Sequence, residues 1–63
     1  MRYELELYAK AWTLVGHRPQ KRVFFETDHA SITTAEQLGR GYAEMRLWQL
    51  TATGKEFVCS GAI

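Results

Sequence analysis

The chain has 63 residues, 46% of them hydrophobic, and a formal net charge of +1 at pH 7. A chain this short buries only ~60% of the surface that it exposes when unfolded, so it has room for one domain with one small core. The hydrophobic content excludes a disordered segment. The near-neutral charge removes the general argument for nucleic-acid binding that a basic domain offers, although it leaves room for a local patch.

The single cysteine, Cys59, excludes an internal disulfide. No N-terminal pattern of charged, apolar and small residues marks a signal peptide, and no apolar run approaches the ~18 residues that a membrane span requires. We therefore expect a soluble cytoplasmic protein without membrane contact, stabilised by packing, by oligomerisation or by a bound partner.

A strict alternation of side chains predicts a first strand from about Arg2 to Leu14. One face of this strand carries Tyr3, Leu5, Leu7, Ala9 and Ala11. The other face carries Glu4, Glu6, Tyr8, Lys10 and Trp12. Two large aromatic side chains among the charges indicate that this second face contacts something other than water.

Gly16 and Pro19 mark residues 15–20 as a hairpin loop, which is followed by a returning strand from Lys21 to Asp28. One face of this strand carries Val23, Phe25 and Thr27, and the other carries Arg22, Phe24, Glu26 and Asp28. A three-residue loop from His17 to Pro19 predicts the cross-strand pairs Lys10–Glu26, Trp12–Phe24 and Ala11–Phe25. A shift of two residues would keep the faces and change the partners, so this register is a preference.

A helix is predicted from about Thr34, with Thr33 and Glu36 forming a capping box. Its predicted apolar face consists of Ala35, Leu38, Tyr42 and Met45. Two glycines within it, Gly39 and Gly41, each cost ~1 kcal/mol relative to alanine, so the helix depends on docking. They also permit close approach to the strands.

Residues 47–52 fit either a continued helix or another strand, and the composition favours a strand. A turn at Thr53 and Gly54 then leads into a last strand from Lys55 to Ser60, with Phe57 and Cys59 on one side and Val58 on the other. The predicted fold class is α+β, a small antiparallel sheet with one helix packed on one face, in the order ββαβ or ββαββ.

One face of such a sheet has no helix to cover it, and aromatic and basic residues point to this face and to the hairpin tip as the binding surface. We expect Tyr8, Trp12 and Phe24 to contact a protein partner directly, with Arg18, Lys21 and Arg22 steering the approach. A small nucleic-acid-binding module that uses the basic hairpin tip is an alternative. Carboxylates on the same face disfavour it. A homodimer through the uncovered sheet or an edge strand is a third interpretation.

Catalysis and metal binding find little support in the sequence. Asp28 and His29 are neighbours on the chain and would face opposite sides of a strand, which does not suit a Cys59-based nucleophilic site. The histidines at positions 17 and 29 and the one cysteine match no metal-ligand spacing. No glycine-rich phosphate loop is present, because the Gly39-Arg40-Gly41 stretch lacks a following lysine. We predict a protein that is not an enzyme, with no catalytic residues, metal or cofactor.

In layout, residues 6–60 resemble the small host-takeover proteins of bacteriophages, such as podophage inhibitors of bacterial RNA polymerase and anti-CRISPR proteins. The shared order is a hairpin, a capped helix that begins near Thr33, an aromatic-containing helix end at Trp48 and a closing strand. The closing strand of the inhibitor is arginine-rich, whereas Lys55 to Ser60 contains no arginine. The resemblance implies a phage- or mobile-element-encoded inhibitor that blocks a host nucleic-acid-handling complex by protein–protein contact.

A shorter stretch, Tyr42 to Phe57, resembles the wing-to-last-helix passage of winged-helix regulators. It covers about a quarter of the chain. The two preceding helices of that fold have no counterpart, because residues 2–28 alternate with a period of two.

Overall fold

A computed structural model describes residues 1–9 and 18–63 of the chain. The elements are, in order, β1 (Arg2–Tyr8), β2 (Lys21–Glu26), α1 (Ser31–Leu38), β3 (Glu44–Thr51) and β4 (Gly54–Ala62). All strand pairs are antiparallel and form one sheet in the order β2-β1-β3-β4. The predicted fold class is confirmed. Among the described residues, no helix has the length and apolarity that crossing a membrane requires.

Strand β1 is central, and its alternation divides the sheet into two faces. Tyr3, Leu5 and Leu7 form the middle of the core with residues of β3 and with Ala35 of α1. We call this helix-covered side the core face and the opposite side the open face. The predicted inward side chains of β1 are thus confirmed up to Leu7. The strand itself ends at Tyr8, earlier than predicted, and residues 10–14 lie outside the described part of the chain.

The pairing of β1 with β2 differs from the predicted hairpin. Phe24 lies opposite Glu4 rather than Trp12, which is a shift of eight positions along β1. The other two predicted pairs are also wrong, since Glu26 lies opposite Arg2 and Phe25 lies opposite Tyr3. An even shift keeps every side chain on its predicted face, so alternation alone does not detect it. The observed register stacks the Tyr3 and Phe25 rings with centroids 5.3 Å apart.

Helix α1 begins earlier than predicted and has no capping box. It starts at Ser31, and its N-cap is Ala30 in the left-handed conformation, with φ 57° and ψ 37° and no side-chain cap. Thr34, one turn inside, donates its hydroxyl to the Ala30 carbonyl at 3.0 Å. The predicted cap at Thr33 and Glu36 is therefore wrong, because the chain turns into the helix three residues earlier.

The helix also ends earlier than predicted, at Leu38, so its predicted apolar face is only partly correct. Ala35 is buried and Leu38 is exposed, while Tyr42 follows the helix and Met45 belongs to β3. Neither predicted helical glycine lies inside α1.

The close approach predicted at Gly39 is confirmed. A Cβ atom there would lie 2.7 Å from Cδ1 of Ile63 and 2.9 Å from Cδ2 of Leu7. Gly41 instead serves the turn, with φ 99° and no atom within 4 Å of an added Cβ. One glycine is needed for space and the other for backbone conformation.

Strands β3 and β4 form a hairpin joined at Ala52 and Thr53, which confirms the preference for a strand in residues 47–51. A bulge interrupts the pairing, because Leu47 lies opposite Cys59 while Trp48 lies opposite Phe57. Val58 is the extra residue, and it packs with Cys59 against the core. Phe57 and Cys59 therefore lie on opposite faces, contrary to the alternation predicted for the last strand.

Candidate protein-binding face

The open face is an array in which side chains of the four strands lie side by side. Cross-strand partners share a face, so the register defines its members. From β2, β1, β3 and β4 in turn, these members are Arg22, Phe24, Glu26; Arg2, Glu4, Glu6, Tyr8; Glu44, Arg46, Trp48, Leu50; and Lys55, Phe57, Ser60 and Ala62.

Two carboxylates occupy the middle of the open face, and both are buried. Glu4 is 7% exposed and Glu6 is 6% exposed, although the one helix among the described residues lies on the other face. Arg22 Nε lies 3.4 Å from Oε2 of Glu4 and 3.6 Å from Oε2 of Glu6. Lys55 Nζ reaches the same Glu4 oxygen at 3.4 Å. Cations from the two edge strands therefore converge over the centre of the sheet.

Trp48 completes the cover over these carboxylates. Its Nε1–H donates to Oε1 of Glu6 at 2.8 Å, and the Lys55 ammonium lies 4.5 Å from the centre of its ring. The Phe57 ring meets the indole edge-on, with centroids 5.5 Å apart. A hydrogen bond to a charged acceptor contributes about 1.5–3 kcal/mol, and a cation over an exposed ring about 0.5–1 kcal/mol. These contacts link Trp48 to Glu6, Lys55 and Phe57 at the same time.

Every buried side-chain nitrogen and oxygen in the described part of the chain has a hydrogen-bond partner. The carboxylates are thus both neutralised and hydrogen-bonded, which is the condition under which charge can be buried without a large penalty. Burial of the open face depends on charge pairing, and burial of the core face on apolar packing.

Two phenylalanines remain exposed at opposite edges of the open face. Phe24 on β2 is 59% exposed, and Phe57 on β4 is 55% exposed. Three strand spacings separate them, or ~14 Å. Phe24 was predicted on this face. Phe57 and Trp48 were not predicted on this face. The bulge turns Phe57 outward, and the pairing of β3 with β1 brings Trp48 there, and neither feature leaves a signal in the local sequence.

The predicted aromatic set is only partly assembled. Tyr8 is 2% exposed, so it does not offer a side chain to a partner of the folded chain, and its predicted exposure is wrong. Burial, and then the nearby Glu6 carboxylate, raise the pKa of the Tyr8 phenol, while Arg46 and Arg22 oppose the shift. Trp12 lies outside the described residues, so its predicted role stays a prediction.

The basic residues of the hairpin tip do not form one patch. Arg18 is exposed and precedes β2. Lys21 and Arg22 are adjacent in β2 and therefore point to opposite faces. Arg22 contacts the two buried carboxylates, so part of its charge is already compensated.

Groups with chemical reactivity are not brought together in the described residues. No cluster of three or more His, Cys, Asp or Glu side chains with metal-binding geometry occurs among them. Burial, and then the Glu36 carboxylate, raise the pKa of the half-buried Cys59 thiol, which disfavours the nucleophilic thiolate. Comparison of the chain with protein-family models, with curated proteins and with solved structures gave no match.

Proposed function

We propose that this protein is a non-enzymatic binding protein that docks on another protein through the open face of its sheet. The observation that carries the proposal is the pair of exposed phenylalanines, Phe24 and Phe57, on either side of a charge-neutralised centre. Aromatic residues and arginine are enriched at the centres of protein interfaces, where a polar rim surrounds them.

The covered centre is suited to docking because it is already ordered. Trp48 is fixed by its bond to Glu6 and by the Lys55 cation, so binding would not have to immobilise it. A pre-ordered surface loses less conformational entropy on association than a mobile one. The exposed rings then supply apolar area, and Arg22 and Lys55 supply donors for polar groups of the partner.

The proposed class of partner is a host nucleic-acid-handling complex, of the RNA polymerase or CRISPR effector type, blocked by this contact. This part of the proposal rests on the resemblance in layout to phage takeover proteins.

Nucleic-acid binding remains a second candidate because of one observation. Glu4 and Glu6 are buried beneath cations, so a phosphate that approached the open face would meet Arg22 and Lys55 before the carboxylates. Bases could stack on Phe24 and Phe57. The exposed Glu26 at one corner counts against it.

The test is capture of partners from bacterial lysate by the tagged protein and by two single variants, with and without nuclease. Phe57→Ala removes an exposed ring of the open face, and Ile32→Ala is the matched control, since Ile32 is an exposed apolar residue of α1. We expect a nuclease-resistant protein partner that Phe57→Ala binds at least about tenfold more weakly and Ile32→Ala binds normally. Equal capture by both variants would contradict the proposal, and a captured species lost on nuclease treatment would favour the second candidate.

A further inference from the structure

We infer that the edge of β2 that faces away from β1, and that no described strand occupies, pairs antiparallel with β2 of a second copy of this chain, about a two-fold axis at Phe24. Two four-stranded sheets would then join into one sheet of eight. The inference concerns the edge of the sheet and does not depend on the proposed function of its open face.

The backbone of β2 has its outer hydrogen-bonding groups in the right places. β2 is at one end of the strand order and has β1 as its neighbour on one side. Thr27 N–H donates to the Met1 carbonyl at 2.9 Å, in register with the β1–β2 ladder. Hydrogen-bonded and non-hydrogen-bonded pairs alternate along such a ladder. The amide and carbonyl groups of Arg22, Phe24 and Glu26 therefore point away from β1.

The side chains of β2 are complementary to themselves about Phe24. With Phe24 opposite its own copy, Arg22 lies opposite Glu26 of the second chain, and Val23 lies opposite Phe25 of the second chain. Opposite charges meet on the open face, and half-buried apolar side chains meet on the core face. Arg22, Phe24 and Glu26, whose backbone groups point away from β1, would each donate and accept one backbone hydrogen bond across the new interface.

Other registers lose this match. A shift of two residues in one direction sets Arg22 against Phe24, and the same shift in the other direction sets Glu26 against Phe24. A shift of one residue would place open-face side chains on the core face. The pairing centred on Phe24 is therefore the one in which charges, rings and faces all agree.

The opposite edge of the sheet lacks these properties. β4 carries the bulge at Val58, which interrupts a regular ladder. A bulge is one of the devices that keep edge strands from pairing with other chains. β2 pairs with β1 without a register shift, and its end charges are complementary rather than repulsive.

The first test is sedimentation velocity of the parent protein from about 10 µM to about 1 mM. A pairing of one short strand buries little surface, so we expect weak association with a dissociation constant in this range. We expect a monomer–dimer equilibrium in this range. In the same samples, exchange of the Arg22, Phe24 and Glu26 amides should slow as concentration rises. A monomer at all concentrations, or a dimer that leaves these amides unprotected, would overturn the inference.

Two proline variants then identify the edge. Phe24→Pro removes an amide that points away from β1, and edge strands accept proline at such a position. Ser60→Pro is the matched control, since the bond from Ile63 N–H to the Ala43 carbonyl sets the Ser60 amide away from β3 in the same way. We expect Phe24→Pro to weaken dimerisation by about tenfold or more and Ser60→Pro to leave it unchanged. The reverse result would assign the dimer to β4 and overturn the inference.

If circular dichroism shows that Phe24→Pro does not fold, Glu26→Arg provides the same test. It sets two cations opposite each other across the proposed axis, and dimerisation should again weaken by about tenfold, more strongly at low salt than at high salt. A salt-independent dimer of normal strength would contradict the proposed register.

Discussion

The core face and the open face of the sheet belong to the same four strands, yet they bury their central side chains by different means. On the core face, Leu5 and Leu7 are fully buried by apolar neighbours and by Ala35 of the helix. On the open face, Glu4 and Glu6 are nearly as buried, but under cations and an indole that arrive from other strands. In the described part of the chain, paired charge covers the centre of the open face as the helix covers the core face.

The largest expected effect comes from breaking the core face. Leu5→Ala removes a side chain that is fully buried in the central strand, and we expect the free energy of unfolding to fall by about 2–5 kcal/mol. Urea denaturation would measure it. Ile32→Ala is the control, since its side chain is exposed and should change stability by only about 0.5 kcal/mol. Similar losses for the two variants would contradict the assigned core.

The open face should be weaker and should depend on hydrogen bonding. Glu6→Ala leaves the Trp48 indole N–H without its acceptor and removes a partner of Arg22, so we expect a loss of about 1–3 kcal/mol. Glu6→Gln keeps an oxygen that can accept from the indole and should lose less. Urea denaturation of both variants gives the comparison. A glutamine variant as unstable as the alanine variant would show that the indole bond contributes little.

The smallest expected effect concerns the pH dependence of Tyr8. Its pKa is raised in the folded chain, so the unfolded chain loses the phenol proton first, near the ordinary value of about 10. The contribution of Tyr8 to stability is then present below about pH 10 and is lost as the pH rises through the folded pKa. The unfolding free energy of the parent should therefore fall relative to that of Tyr8→Phe as the pH rises above about 10. A parent free energy that rises relative to Tyr8→Phe over the same range would contradict the burial of this phenol.

Sequence periodicity was sufficient to predict β1 and β2 and their faces, but not the start of β3, the faces of β4 around its bulge, or the strand partners. The alternation in residues 3–7 identified Tyr3, Leu5 and Leu7 as core residues, because inward and outward positions follow from strand geometry alone. The hairpin register was wrong by eight positions, since all even shifts satisfy the same alternation. The bulge at Val58 and the helix N-cap at Ala30 have no local pattern in the sequence.

The same reason explains what was missed at the candidate site. Phe24 was predicted on the open face from β2 alone. Trp48 and Lys55 acquire their roles only when β3 pairs with β1 and β4 pairs with β3, which brings distant segments over Glu4 and Glu6. Burial of those carboxylates could not be inferred from a strand in which they simply alternate with leucines.

The central position of β1 also has a consequence for the order of folding. β3 and β4 are joined by two residues and can form a hairpin on the order of microseconds. β1 and β3 are separated in the sequence by β2 and α1, and pairing between such distant segments is slow because a long loop must close. The pairing of β1 with β3 is thus expected to form late, and Leu5 and Leu7 become fully buried only after the β3–β4 hairpin exists.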